Sequence, residues 1–142
     1  FKNLFCSEMT EKKFYADFIP RAIDLWLNRE SAVTYIPYLM GSRYSLEPLK
    51  AEFRGLTPET SREELLAALV RGLYEYQREN LKEVSIEMRL TDEILVSGGA
   101  VNEALIRAKS KWMRNCNYRF ETESSLKGAA MLGQKYLAGM ME

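Results

Sequence analysis

The stretch Ile94-Leu95-Val96-Ser97-Gly98-Gly99-Ala100, with Val101 to Arg114 running directly out of it, decides how this chain folds. Three consecutive large apolar residues, two of them β-branched, predict a short buried strand. Gly98 and Gly99 end it in a turn where no Cβ restricts the backbone or an approaching ligand. Val101, Ala104, Leu105, Ala108 and Trp112 then recur at the spacing of one buried helix face. Strand, glycine turn and helix set a helix N-terminus, with its free N–H groups and positive dipole, beside the turn. By spacing alone the two glycines do no more than permit a tight connection, because short glycine patterns recur by chance.

Downstream, Cys116, Tyr118 and Phe120 alternate with polar Asn117 and Arg119, the pattern of a strand with one buried face. A helix of about 14 residues between Ile94–Ser97 and Asn117–Phe120 predicts that the two strands pair in parallel as a βαβ crossover. Ser124 and Ser125 are cap candidates for a last helix. Leu126, Ala129, Ala130, Gly133, Tyr136 and Leu137 form its apolar face. Its small residues suit close packing. Glu121 and Glu123 are too few carboxylates to define a metal site.

Upstream, Thr10 to Phe18 carries Phe14, Tyr15 and Phe18 at helical spacing. Pro20 suits the first turn of a second helix, with Ile23, Trp26 and Leu27 on its apolar side. Trp26 reads as core, with a ligand-stacking platform as the sharper alternative. Val33, Tyr35, Ile36, Tyr38 and Leu39 are β-prone, but Pro37 and Gly41 limit them to an edge strand or extended loop. Arg43 there is a solvated charge, or an anion or hydroxyl ligand if a cleft lies beside it. Glu47 to Pro58 reads as a connector. Ser61 and Glu64 stand at capping-box spacing, with Thr60 and Glu63 as a second register. The helix that follows buries Leu66, Leu69, Leu73 and Tyr76 and ends in a charged stretch and loop at Glu79 to Arg89. Gly72 inside it costs about 1 kcal/mol against alanine; close packing on another backbone and a mere weak spot fit it equally. The helices beginning near Ser61 and Ser125 are expected to pack on the parallel sheet.

Composition narrows the function classes. The chain has 142 residues, 46% of them hydrophobic, and twenty basic residues balance twenty acidic ones. That is one domain, 1–142, able to bury a core, with no field drawing nucleic acid or an anionic membrane. No apolar run reaches the ~20 residues that span a bilayer. Lys2, Glu8, Lys12 and Lys13 break any signal-peptide pattern. Cys6 and Cys116 suit a reducing, cytoplasmic setting. With no histidine in the chain, a histidine-based triad is excluded. There is no P-loop, no G-x-G-x-x-G and no zinc spacing of cysteines. Asp17, Asp24 and Asp92 lack partners marking a catalytic base and read as surface charges. The chain begins at Phe1, as a piece of a longer protein would.

The ordered set Pro37-Tyr38-Leu39-x-Gly41-x-Arg43, Phe53-Arg54-Gly55-Leu56, Gly98-Gly99-Ala100 and Glu123-x-x-Leu126-x-Gly128-Ala129-Ala130 resembles the C-terminal lobe of the FGGY carbohydrate kinases. Ala51-x-Phe53-x-Gly55-Leu56, followed by Glu64-Leu65 and Ala68, is similar to most of that family's second signature. The resemblance runs from about Tyr35 to Leu137. It implies an α/β fold, the actin-like or ribonuclease-H-like lobe in part, with a small sheet flanked by helices. It also implies the nucleotide side of a two-lobed enzyme that transfers a phosphoryl group from ATP, with Mg2+, to a sugar or polyol.

Carried over residue by residue, Gly98, Gly99, Ala100 and Asn102 are the expected adenosine contacts, Asn102 offering a donor and an acceptor to the base. No catalytic aspartate motif and no phosphate loop match, so this piece alone is expected to be inactive. Arg107 and Lys111 stand where the family has glutamine and aspartate. They motivate the alternative of a non-catalytic α/β binding module. Tyr35, Tyr38 and Leu39 are the candidates for apolar surface facing the other lobe, and a homodimer stays open as the oligomeric state.

Overall fold

The computed structural model describes residues 1–38, 49–98 and 101–139. The elements in order are α1 (Lys2–Phe5), α2 (Glu11–Lys13), a π turn (Phe14–Phe18), α3 (Ile19–Trp26), β1 (Thr34–Ile36) and β2 (Glu52–Arg54). There follow α4 (Arg62–Glu87), β3 (Glu93–Val96), α5 (Glu103–Trp112), β4 (Asn117–Phe120) and α6 (Ser124–Gly139). This is a small mixed α/β arrangement with two separate two-stranded sheets.

α2, the π turn and α3 are one continuous run. Thr10 caps it through Oγ1, which accepts from the Lys13 N–H at 3.3 Å. Pro20 lacks an N–H and its ring would strike the carbonyl one α-turn back. The turn before it is widened, and Ile19 N–H bonds back to Phe14 O, five residues earlier. Instead of two helices meeting at Pro20, the chain thus passes through it. Phe14 and Phe18, stacked at 5.7 Å between centroids, are turned into the core by this segment.

Helices, more than a sheet, make that core. α3 packs against both α4 and α5. Ala22 and Ile23, fully buried, meet Leu66, Ala67 and Val70 from α4 and Ala104, Ala108 and Trp112 from α5. The α5 face agrees with its sequence stripe. On α4 the small residues Ala67, Ala68 and Gly72 are buried, while Leu73 stays 37% exposed. Ser61 Oγ accepts from Glu64 N–H at 3.1 Å, but the Glu64 carboxylate accepts from Ser31 Oγ at 2.6 Å. The capping box is therefore half built, with its acid spent on the loop before β1.

Gly72 marks a close approach of two backbones. A Cβ there would lie 2.3 Å from the Tyr35 carbonyl oxygen, so the α4 backbone lies directly against β1. Tyr35 is buried, against the expectation of an exposed lobe-facing residue, and its ring lies 4.8 Å from that of Phe53. Tyr38 is half-buried and edge-on to Tyr76, and Leu39 lies outside the described residues, as do Gly41 and Arg43. Phe53 belongs to β2, antiparallel to β1 with Tyr35 opposite it. That strand sits inside the supposed connector: its three residues borrow their ladder from β1.

The βαβ unit forms as expected. β3 and β4 pair in parallel, Ile94 beside Tyr118 and Val96 beside Phe120. Three other expectations are corrected. α4 continues through Glu79 to Glu87 as helix, supported on its exposed side by the Arg71–Glu75 and Lys82–Glu79 pairs. It packs on α3, α5 and β1 in place of the parallel sheet. α6 starts at Ser124, so its cap position falls on Glu123, held at φ 55°, and its apolar residues are exposed: Leu126 66%, Leu132 72%, Tyr136 68%. One face of the β3–β4 pair is open too, at Leu95.

Candidate functional site

The C-terminal ends of β3 and β4 and the N-terminal end of α5 come together at one place. Gly98 sits there at φ 122°, in the left-handed half of backbone space, and a Cβ on it would meet nothing within 4 Å. Glycine is thus needed at position 98 for conformation, with open space above it. Gly99 and Ala100 lie outside the described residues.

Asn102 is the N-cap of α5. Its Oδ1 accepts from the Leu105 N–H at 3.0 Å in extended backbone, φ −141° and ψ 168°. The acceptor expected to face a base is therefore engaged in the helix's own first turn, and the free polar function is the amide NH2. Asn102→Ala removes a cap and is expected to destabilise the chain by about 0.5–2 kcal/mol in urea titration, ligand or no ligand. A contact residue without a capping role would leave that midpoint unmoved.

Between α5 and the end of β4 lies a groove of about 570 Å³, walled by Val101, Asn102, Glu103, Ile106, Arg107, Tyr118 and Phe120. Its size suits one small molecule, and apolar walls with a few polar groups suit a flat ring. The Tyr118 hydroxyl donates to Arg114 O at 2.6 Å, so the phenol is anchored at its far end. Burial pushes its pKa upward, which keeps it neutral. Phe120 is 53% exposed, an aromatic edge with room for a partner.

Arg107 and Lys111, the charged departures on this helix, have structural partners. Arg107 donates to Asp24 Oδ1 at 2.5 Å and Lys111 to Asn28 Oδ1 at 2.5 Å, tying α5 to α3 and the loop after it. The remaining carboxylates do no chemistry together. Asp92 is wholly exposed and pairs with Arg114 at 3.2 Å. Glu121 pairs with Lys127, whose hydrogen bond holds its carboxyl below the usual range. Among the described residues no group of three metal-ligating side chains gathers. What the sequence did not announce is Ile106, off the main apolar stripe, and Phe120 as an open edge; only the β4 register brings them together.

The crystal structure of xylulose kinase from Rhodospirillum rubrum is similar to this chain at a TM-score of 0.70 with 14% sequence identity. The similarity takes in 87% of this chain and 24% of that one, so the chain spans about a quarter of the kinase's length. At this identity the likeness speaks for the fold. No family model and no curated protein matches the sequence. No helix among the described residues is long and apolar enough to cross a membrane.

Proposed function

We propose that this chain is the adenosine side of an ATP-dependent carbohydrate kinase, the remainder of which binds the sugar or polyol and supplies the catalytic base. The groove at the α5 N-terminus carries the reading. It lies beside the glycine turn to which the FGGY resemblance assigns the adenosine. The residues fit a nucleoside: Gly98 leaves open space, Ile106, Tyr118 and Phe120 offer apolar and aromatic wall, and the Asn102 NH2 offers a donor. Among the described residues no cluster of metal-ligating side chains stands ready for Mg2+, and the reading assigns the metal and the transfer step to the rest of the enzyme. Gly98, Gly99, Ala100 and Asn102 remain the proposed nucleotide contacts. Arg107 and Lys111, which motivate the alternative of a non-catalytic module, bond to α3 and its following loop.

The test is a titration of ADP into the isotopically labelled 142-residue chain, followed by NMR. Weak binding, with Kd on the order of 1 mM, is expected because half of the cleft is missing. The shifts should cluster at Gly98 to Arg107 and Tyr118 to Phe120, and Ile106→Glu should abolish them while leaving the fold intact. The same chain should transfer no phosphoryl group to pentuloses, hexuloses or polyols. Shifts centred elsewhere would overturn the site, and turnover by these residues alone would overturn the division of labour.

A further inference from the structure

Further along α5, where that helix meets α4 and β3, lies another groove, of about 340 Å³. Leu81 and Val84 of α4, Ile94 of β3 and Met113 just beyond α5 give it an apolar wall. Gln77 and Asn80 add carboxamides. Lys109 is the one charged residue among the described residues that line it.

What holds Lys109 is neutral. Its ammonium donates to Gln77 Oε1 at 3.1 Å and stands 4.5 Å from the centroid of the Tyr74 ring. Other cations of the chain end on acids: Arg21 on Glu63, Arg62 on Glu8, Arg71 on Glu75 and Arg107 on Asp24. Among the described residues no carboxylate pairs with Lys109. Yet Lys109 is half-buried, and that burial pushes its pKa below the usual lysine value. A cation withdrawn from water is ordinarily offset by an anion. One amide oxygen and a ring face supply only part of that offset. An ammonium carries three N–H donors and Gln77 takes one, so donors remain for an incoming oxygen.

We infer that this groove binds a small organic acid with an apolar chain, its carboxylate on Lys109 and its chain against Leu81, Val84, Ile94 and Met113. The pairing of one unanswered cation with an apolar wall selects that class. A simple inorganic anion would leave the wall wet, and a neutral apolar molecule would strand the ammonium. A single cation matches a monocarboxylate better than a doubly charged phosphate ester.

The test titrates butyrate, hexanoate and octanoate into the isotopically labelled 142-residue chain and follows the NMR shifts. Saturable shifts are expected at Gln77, Leu81, Val84, Ile94 and Lys109. Affinity should rise by about two- to fourfold for each added methylene. Octanol has the same chain without the charge and should bind at least tenfold more weakly than octanoate. Lys109→Met keeps a straight apolar side chain on the helix. With circular dichroism unchanged, it should weaken octanoate at least tenfold and remove its advantage over octanol. Should that variant fail to fold, the octanol comparison on the native chain decides alone. Equal binding of octanoate and octanol would overturn the inference. So would undiminished octanoate binding by folded Lys109→Met, affinity indifferent to chain length, or shifts centred on α6. Full displacement of octanoate by inorganic phosphate would overturn it too, assigning the groove to a simple anion.

Discussion

Gly72→Ala is expected to lower the thermal midpoint by about 5–10 °C, although alanine is the better helix former by about 1 kcal/mol. The reason is one distance. A Cβ at position 72 would stand 2.3 Å from the Tyr35 carbonyl oxygen and 3.2 Å from its carbon. A flexible side-chain end could swing away from such a contact, but a strand carbonyl cannot. β1 is held on its other edge by β2, Tyr35 facing Phe53, and the Tyr35 ring is buried. Either α4 or the β1–β2 pair must therefore move by about an ångström, and overpacking of this kind costs about 1–3 kcal/mol, occasionally more. The control is Gly133→Ala in α6, where an added Cβ meets nothing within 4 Å. There the propensity gain stands alone, and helicity should rise with no loss of midpoint. If Gly72→Ala is neutral or stabilising in thermal melts while Gly133→Ala behaves as stated, the close approach of α4 to β1 is wrong.

Gly72 was half legible because its misfit is local: a glycine inside a strong helix pattern marks either a weak spot or a neighbour too close for a side chain, and only the position of the Tyr35 carbonyl decides between them. The parallel pair was legible for the same reason, since Ile94 to Val96, the glycine turn and the α5 stripe are each written in adjacent residues. Elements that borrow their stability were not. Glu52-Phe53-Arg54 has no strand pattern of its own worth the name and becomes β2 only because β1 supplies a ladder and Tyr35 a ring. Glu79 to Glu87 looks like a helix fraying into charge, yet glutamate and lysine are good helix formers that need no burial. The candidate site divides along the same line. Gly98 and Asn102 were found from spacing and resemblance, but Asn102's cap bond and the approach of Phe120 to Ile106 depend on where α5 begins and how β4 registers against β3.

Ile23→Ala is expected to cost about 2–5 kcal/mol. Ile23 has no exposed surface and lies in α3 between the faces of α4 and α5. Its cluster includes the small residues Ala67, Ala104 and Ala108, which cannot lengthen to fill a hole. The cavity therefore stays largely open, and the upper half of the range is the expectation. The matched control is Leu132→Ala on α6. The sequence makes both positions apolar, and the fold buries only one: Leu132 is 72% exposed. Its truncation in the isolated chain should change stability by less than about 0.5 kcal/mol. In the longer protein of the proposed function the same α6 face would be covered, and Leu132→Ala should there become destabilising by more than about 1 kcal/mol. Chemical denaturation of the two variants in the two contexts reads this directly. A large loss from Leu132→Ala in the isolated chain would mean that α6 is already packed, and an equal null in the longer protein would mean that nothing ever covers it.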